Sequence, residues 1–199
     1  VRIFLAGASG VIGVRLVPLL VQAGHRVAGM TRTPQKEQLL RELGAEPVVC
    51  DVYDAARLTE ALRAFAPDLV MHQLTDLPDD VRQIALYIRR NNRIRTEGTS
   101  NLLEAARAAG AERFIAQSLA STPPGAGRAI RKHERMVLDF DGVVLRYGWL
   151  YGPGTHMPGR RRPPPPRIHV DEAARRTVEL LDAPTGVIVV SEAEAAVQP

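Results

Sequence analysis

The first thirteen residues constrain this chain more than any other stretch. Val1 to Ala6 is an apolar run interrupted only by Arg2, and it reads as a strand buried on both faces. It runs into Gly7, Gly10 and Gly13, spaced G-x-x-G-x-x-G, and an apolar helix pattern leaves the last of them. Each glycine has its own task in such a turn. The first permits the sharp reversal from strand to helix. The second removes a Cβ so that a pyrophosphate can approach the backbone, and the third lets the helix pack closely on the strand. The N-terminus of the helix then offers free N–H groups and the positive end of its dipole to an anion. Gly7, Ser9, Gly10, Val11, Ile12 and Gly13 are therefore the expected phosphate cradle, with Ser9 adding a hydroxyl. A glycine-rich turn without a ligand carries the same letters. The strand–turn–helix setting, followed by another βα unit, selects the dinucleotide site.

The rest of the chain repeats the alternation. Strands are expected at His25–Thr31, Pro47–Cys50, Asp68–Leu74, Arg113–Ser118, Val143–Tyr147 and Val187–Val190. Helices are expected at Val11–Ala23, from Thr33-Pro34 to Gly44, and at Asp54–Phe65, Asp80–Arg90, Asn92–Ala109, Arg128–Leu138 and Asp171–Leu181. Pro18 breaks a local rule within the first helix and should kink it or cost about 3 kcal/mol. This pattern calls for an α/β fold: a doubly wound parallel sheet of the Rossmann type, in the order 3-2-1-4-5-6 with a short extra strand. All 199 residues fit one domain. Within it, residues 152–167 read as an extended, mobile Pro/Arg-rich connector, a solvated link rather than a docking motif.

Composition removes several classes. Hydrophobic residues make up 45% of the chain, which argues against general disorder. Cys50 is the single cysteine, so neither an internal disulfide nor a cysteine-based metal site can form. There is no apolar run of about 18 residues and no leader pattern before the first strand, and a soluble, cytoplasmic protein is expected. The net charge is +4, but the basic residues are scattered and aromatics are only 5%, so no nucleic-acid partner is expected through Arg89-Arg90 and Arg93-Arg95.

The end of the second strand speaks to the cofactor. A site for NAD places Asp or Glu there, roughly 20 residues beyond the glycines, to bind the ribose 2′-OH. Between Gly13 and Glu37 this chain has no acidic residue, and Thr31-Arg32-Thr33 stands at the strand end. An arginine fork and hydroxyl donors suit a 2′-phosphate, with Arg15 and Lys36 adding positive field, so NADP(H) is expected in preference to NAD(H). The bland alternative is a solvated Arg32 beside NAD.

Further motifs, in order, resemble the short-chain dehydrogenase/reductase superfamily in its extended or atypical form, the NAD(P)-dependent epimerase/dehydratase-like proteins. They are Gly7-Ala8-Ser9-Gly10-Val11-Ile12-Gly13, Asp51-Val52, Thr96 to Ala106, Ala116-Gln117-Ser118, Leu145 to Gly154, and Ile168 to Glu172. The resemblance implies that Asp51 and Val52 flank the adenine and that Leu74 and Thr75 lie beside the cofactor. It places Gln117 and Ser118 at the nicotinamide, and Tyr147, Gly148, Trp149 and Leu150 along its far side. Val52, Leu74 and Leu150 suit core packing equally well.

The departures concern the chemistry. The superfamily's Tyr-x-x-x-Lys pair is absent: the lysines are Lys36 and Lys132, preceded at the required spacing by Arg32 and Arg128. Taking Glu134 as the glutamate that follows the family lysine puts Ala126 and Ile130 in place of Tyr and Lys. The chain is also short after Ser121, between Gly154 and Ile168, and beyond Val190, so the substrate-covering region is reduced or missing. Ser118 remains as the expected catalytic residue, orienting a substrate carbonyl. Lys132 and His133 read as solvated helix surface, His72 as a satisfied, half-buried histidine, and Asp171 as a helix cap. The expected function is an NAD(P)(H)-dependent oxidoreductase or epimerase-like enzyme acting on a small carbonyl or hydroxyl compound. The alternative is an inactive NADP(H)-binding sensor or partner-binding protein. A homodimer is compatible with either.

Overall fold

The computed structural model describes residues 1–76, 84–159, 162–192 and 197–198. In chain order the strands are β1 (Arg2–Ala6), β2 (Arg26–Thr31), β3 (Glu46–Val49), β4 (Leu69–His72), β5 (Arg113–Leu119), β6 (Val143–Tyr147), β7 (Trp149–Tyr151), β8 (Arg167–His169), β9 (Gly186–Val190) and β10 (Val197–Gln198). The helices are α1 (Gly13–Gln22), α2 (Glu37–Glu42), α3 (Ala55–Phe65), α4 (Ile84–Arg93), α5 (Thr99–Ala108), α6 (Gly127–Leu138) and α7 (Val170–Glu179). The main sheet has the order β10-β9-β6-β5-β4-β1-β2-β3, in which only β10 is antiparallel to its neighbour, and β7 and β8 form a separate parallel pair. The order 3-2-1-4-5-6 expected from the sequence is present, extended by β9 and β10. The order reverses between β1 and β4, and the crevice that receives ligands in such sheets opens there.

Successive residues of each strand point to opposite faces, so the core has two layers. Ile3, Leu5, Met71, Ile115 and Leu145 meet Leu16 and Leu20 of α1 and Ala173 and Ala174 of α7. Phe4, Ala6, Val70, Phe114 and Val144 meet Leu58 and Leu62 of α3, Leu102 of α5 and Val137 of α6. Each fully buried side chain of this size contributes about 1.5–3 kcal/mol of transfer free energy. Pro18 does not end α1, which runs on through Gln22; it leaves only the Val14 carbonyl without its helical donor.

Several local expectations are corrected. The expected break between the helices at 80–90 and 92–109 is not there. α4 continues through a π turn, Ile94–Gly98, directly into α5. No Gly or Pro interrupts 84–97, and the wider turn brings Gly98 against Val52, where a Cβ would sit 3.2 Å from a valine methyl. Residues 80–83 of the expected helix lie outside the described residues. The cap of α7 is His169, whose Nδ1 accepts the Asp171 N–H, and not Asp171, which lies inside the first turn. The connector expected at 152–167 starts directly after β7, and its last residue, Arg167, already belongs to β8. The two strands clamp its ends, and Arg15 Nη2 donates to the Pro153 carbonyl at 2.7 Å.

His133 is the largest correction. It is 2% exposed, not solvated, and His72 is fully rather than half buried. A hydrogen-bonded chain joins them. The Leu74 N–H donates to His72 Nδ1 (3.3 Å), His72 Nε2 lies 3.0 Å from Thr99 Oγ1, and Thr99 Oγ1 lies 2.8 Å from His133 Nδ1. His133 Nε2 ends the chain on the Gln117 carbonyl at 2.9 Å. A carbonyl can only accept and an amide can only donate, so the tautomers follow: His72 carries its proton on Nε2, His133 carries its own on Nε2, and Thr99 donates to His133. Four elements, β4, α5, α6 and β5, are thereby fastened behind the crevice by neutral rings.

Burial pushes both imidazoles down, His133 to about 4. The unfolded chain takes up these protons near pH 6.5 and the folded one does not. Their contribution is therefore complete above pH 6.5 and is lost as the pH falls toward 4. Urea stability should decline by up to about 1.4 kcal/mol per pH unit for each ring in that window. In His133→Asn the decline should become shallower by one ring's share. An unchanged slope in that variant would show that His133 is not one of the rings responsible.

Candidate functional site

The site is built at the carboxyl ends of the parallel strands. In the β1–α1 turn, Gly7 has φ +91°, and a Cβ on it would lie 2.7 Å from the Gln73 carbonyl carbon and oxygen at the end of β4. A Cβ on Gly13 would lie 2.2 Å from the Gly7 oxygen. Gly10 is different: its Cβ would meet only the Gly7 oxygen, at 3.2 Å, and otherwise faces open space. Packing explains Gly7 and Gly13, whereas the free side of Gly10 is a cradle that a side chain would fill. The amides of Val11 and Ile12 find no acceptor among the described residues and remain available to an anion. Arg15, expected to add field here, does bond the turn, its Nη1 donating to the Val11 carbonyl at 2.7 Å, but its charge is paired, with Nε 2.5 Å from Asp171 Oδ1.

On one wall, Ser9 Oγ and Thr31 Oγ1 are 2.9 Å apart, the Thr33 N–H donates to Thr31 Oγ1 at 3.2 Å, and Lys36 Nζ reaches the Ser9 carbonyl at 3.4 Å. Arg32 Nη2 donates to Asp76 Oδ1 at 3.1 Å, and Arg90 Nε holds the other oxygen at 2.8 Å. Asp76 is fixed through its backbone as well: its N–H donates to Asn91 Oδ1 (3.0 Å), and Asn91 Nδ2 donates back to the Asp76 carbonyl (2.8 Å). Beyond β3, Asp51 is exposed and accepts the Tyr53 N–H at 3.0 Å. The neighbouring Val52 side chain is buried in the core.

On the other wall, Thr75 is exposed and Leu74 half-buried, and Gln117 Nε2 donates to the Leu74 carbonyl at 2.9 Å. Gly148 passes so close to the chain before β8 that a Cβ would meet the Arg167 nitrogen at 2.7 Å; Trp149 is 48% exposed and Leu150 half-buried. Ser118 is buried and points toward α6, where its hydroxyl donates to Glu134 Oε1 at 2.6 Å. Arg146 grips the same carboxylate with two bonds, of 2.8 and 2.7 Å. Burial raises the Glu134 pKa, but Arg146 and Ser118 outweigh it and hold the carboxyl below its usual range. Tyr147 lies in the core, where burial pushes the phenol up to about 12; its hydroxyl is 2.6 Å from Thr177 Oγ1. The crevice thus gathers the glycine turn, Thr31, Arg32, Asp51, Leu74, Thr75, Gln117 and the backbone of 148–150. The side chains of Val52, Ser118 and Tyr147 belong to the layers behind it.

A family model described as NAD dependent epimerase/dehydratase family matches residues 3–136. The chain belongs to that family. Among curated proteins it is similar to a 3-diazoavenalumate denitrifying reductase from Streptomyces sp, with 38% identity over 190 aligned positions, 77% of this chain and 58% of that one. It is also similar to a 3-beta-hydroxysteroid dehydrogenase from Mycolicibacterium neoaurum, at 30% over 120 positions, 57% of this chain and 31% of that one. The chain therefore spans less than two thirds of the length of these relatives. The fold is shared with the UDP-glucose 4-epimerase of Thermotoga maritima (TM-score 0.78, 17% identity, 99% of this chain and 79% of that one). It is shared too with the Bordetella bronchiseptica enzyme WbmH solved with NAD+ (TM-score 0.74, 18% identity, 98% and 77%).

A family cofactor of the NAD(P) type fits the residues present: two free amides, an open Gly10 and hydroxyls on the β2 wall. The positions that the resemblance gives to the family's Tyr and Lys hold Ala126 and Ile130. Ala126 and Ile130 are 0% and 4% exposed, apolar, and packed against the protein. The next turn of α6 buries His133 and Glu134 instead. Among the described residues there is no group of side chains able to hold a metal, and no helix is long and apolar enough to cross a membrane. Sequence reasoning missed Asp76 and its partner Arg90. An acid one residue beyond Leu74-Thr75 was the available signal, but nothing in the local pattern pointed to either arginine.

The two inner glycines should respond differently to alanine. Gly13→Ala should destabilise the fold by about 2 kcal/mol or more, because its Cβ would strike backbone. Gly10→Ala should leave the thermal midpoint within a few degrees while weakening dinucleotide binding at least tenfold, measured by titration. Unaltered binding in Gly10→Ala would mean that phosphates do not lie on this turn.

Proposed function

We propose that this chain carries the cofactor half of an NADP(H)-dependent reductase that works without a tyrosine acid. The carrying observation is the combination of an intact cradle with buried Ala126 and Ile130 where the family has Tyr and Lys. The glycine turn and the Val11 and Ile12 amides would hold the pyrophosphate, Asp51 the adenine side, and Gln117 with the backbone of 148–150 the nicotinamide. Arg32, Thr31 and Ser9 face the ribose side with a cation and two hydroxyls and no carboxylate of the β2 strand end, which supports NADP(H) over NAD(H). Ser118 donates its hydroxyl hydrogen bond to Glu134, so in this reading it acts by fixing the end of β5 against α6.

A reduced nicotinamide supplies hydride. An acceptor that turns into an alkoxide on receiving hydride needs a proton from the protein, and the position that supplies it is alanine here. An acceptor with a good leaving group does not: a diazonium carbon that gains hydride and loses N2 becomes neutral with no proton transferred. The relative named as a denitrifying reductase of a diazo compound supports an acceptor that loses N2, and we extend it to a carboxylate that carries its N2 group as an aryl diazonium cation. Reductase and dehydrogenase relatives favour turnover over the sensor reading.

With NADPH and an aryl diazonium carboxylate, cofactor absorbance should fall and N2 should evolve one for one, with deuterium from labelled NADPH appearing at the carbon that carried N2. Simple ketones should react far more slowly. Tight NADPH binding with steady absorbance across diazo and carbonyl panels would return the chain to the sensor reading. Loss of a charge-assisted phosphate contact is worth about 1.5–3 kcal/mol, so Arg32→Ala should weaken NADPH binding about tenfold or more in a fluorescence titration.

A further inference from the structure

The pair Arg32–Asp76 joins the two walls of the crevice. β1 lies between β2 and β4, with Ala6 paired to Met30 on one side and His72 on the other. Arg32 follows β2, and Asp76 follows β4. For Arg32 Nη2 to reach Asp76 Oδ1 at 3.1 Å, the guanidinium must cross the carboxyl end of β1, over the glycine turn. Asp76 is a firm anchor for it. Its side chain is 9% exposed, Arg90 holds its second oxygen, and Asn91 holds its backbone from both sides. Arg32 is the movable member, more than half exposed and bonded through its guanidinium to Asp76.

We infer that Arg32 and Asp76 form a latch across the dinucleotide crevice, and that Asp76 is thereby an affinity-setting residue. A dinucleotide lying along the glycine turn has to part the pair. A 2′-phosphate offers Arg32 a new anionic partner in exchange for Asp76, whereas a 2′-hydroxyl offers none. NADH then opens the latch without compensation, and NADPH opens it with compensation. The exchange of partners rests on the NADP(H) reading given above; the latch itself does not.

The test is a titration of NADH and NADPH at fixed ionic strength, read by cofactor fluorescence, on the wild type, Arg32→Ala, Asp76→Asn and the double variant. Arg32→Ala is the decisive arm, because it leaves the Asp76–Arg90 pair and the Asn91 bonds in place. It should bind NADH about threefold to fivefold more tightly than the wild type, the scale of a partly exposed ion pair, while losing NADPH affinity. Asp76→Asn should tighten NADH by the same factor and tighten NADPH as well. The double variant should bind NADH no more tightly than either single one, since both remove one interaction. NADH affinity that is unchanged or lower in Arg32→Ala overturns the latch. Equal affinities for the two cofactors in the wild type, with NADH still tightened by Arg32→Ala, would keep the latch and remove the NADP(H) preference.

Discussion

The close approach of the β1–α1 turn to its surroundings is the constraint on which the site depends. Gly7 lies against the Gln73 backbone and Gly13 against the Gly7 carbonyl, at distances that leave no room for a Cβ. That packing seats α1 directly on the sheet and aims its first amides at the reversal between β1 and β4. Once the turn is seated, the ends of β2, β4, β5 and β6 have fixed positions around it. Residues far apart in sequence then become the two walls of one crevice.

Behind those walls the polar groups follow two different solutions. His72 and His133 are kept neutral by burial and, through the Thr99 hydroxyl, form a directed chain from the Leu74 amide to the Gln117 carbonyl. Glu134 is kept charged by Arg146 and also accepts a hydrogen bond from the Ser118 hydroxyl. Both networks fasten α6 to the strands that line the nicotinamide side. At the start of α6 the positions that the resemblance gives to the family's Tyr and Lys are a buried alanine and isoleucine, and one turn on His133 and Glu134 face inward. In the reading proposed above, a cofactor site with alanine at the position of the family's acid suits acceptors that need no proton. This connects the packing of α6 to the kind of substrate proposed.

The electrostatics of the opening have a similar logic. Arg32 stands where an acid is usual in an NAD site, and it is not idle: Asp76 holds it. The positive charge at the β2 wall is therefore available to a ligand only by exchange. Arg15 is matched by Asp171 in the same way, so the basic excess of the chain adds less to the crevice than counting charges suggests.

Strand order, the two-layer core and the tight glycine turn were legible in the letters because they rest on local regularities. Apolar alternation, helical period and glycine spacing act over a few residues, and the glycines state where backbone must approach backbone. The sequence by itself determined the doubly wound sheet, the glycine turn, the missing acid at the β2 strand end and the absent Tyr–Lys pair. It could not determine which polar side chains would be buried. His133 beside Lys132 has the letters of a solvated helix face, and only the docking of α6 on β5 places it inside. The continuous helix through the π turn, the cap by His169 and the burial of Ser118 were likewise settled by neighbours. Arg32 and Asp76 are 44 residues apart, and Ser118 and Glu134 are 16 apart on different elements. Their pairing depends on where the folded sheet brings strand ends and helices together, and no local pattern carries that information.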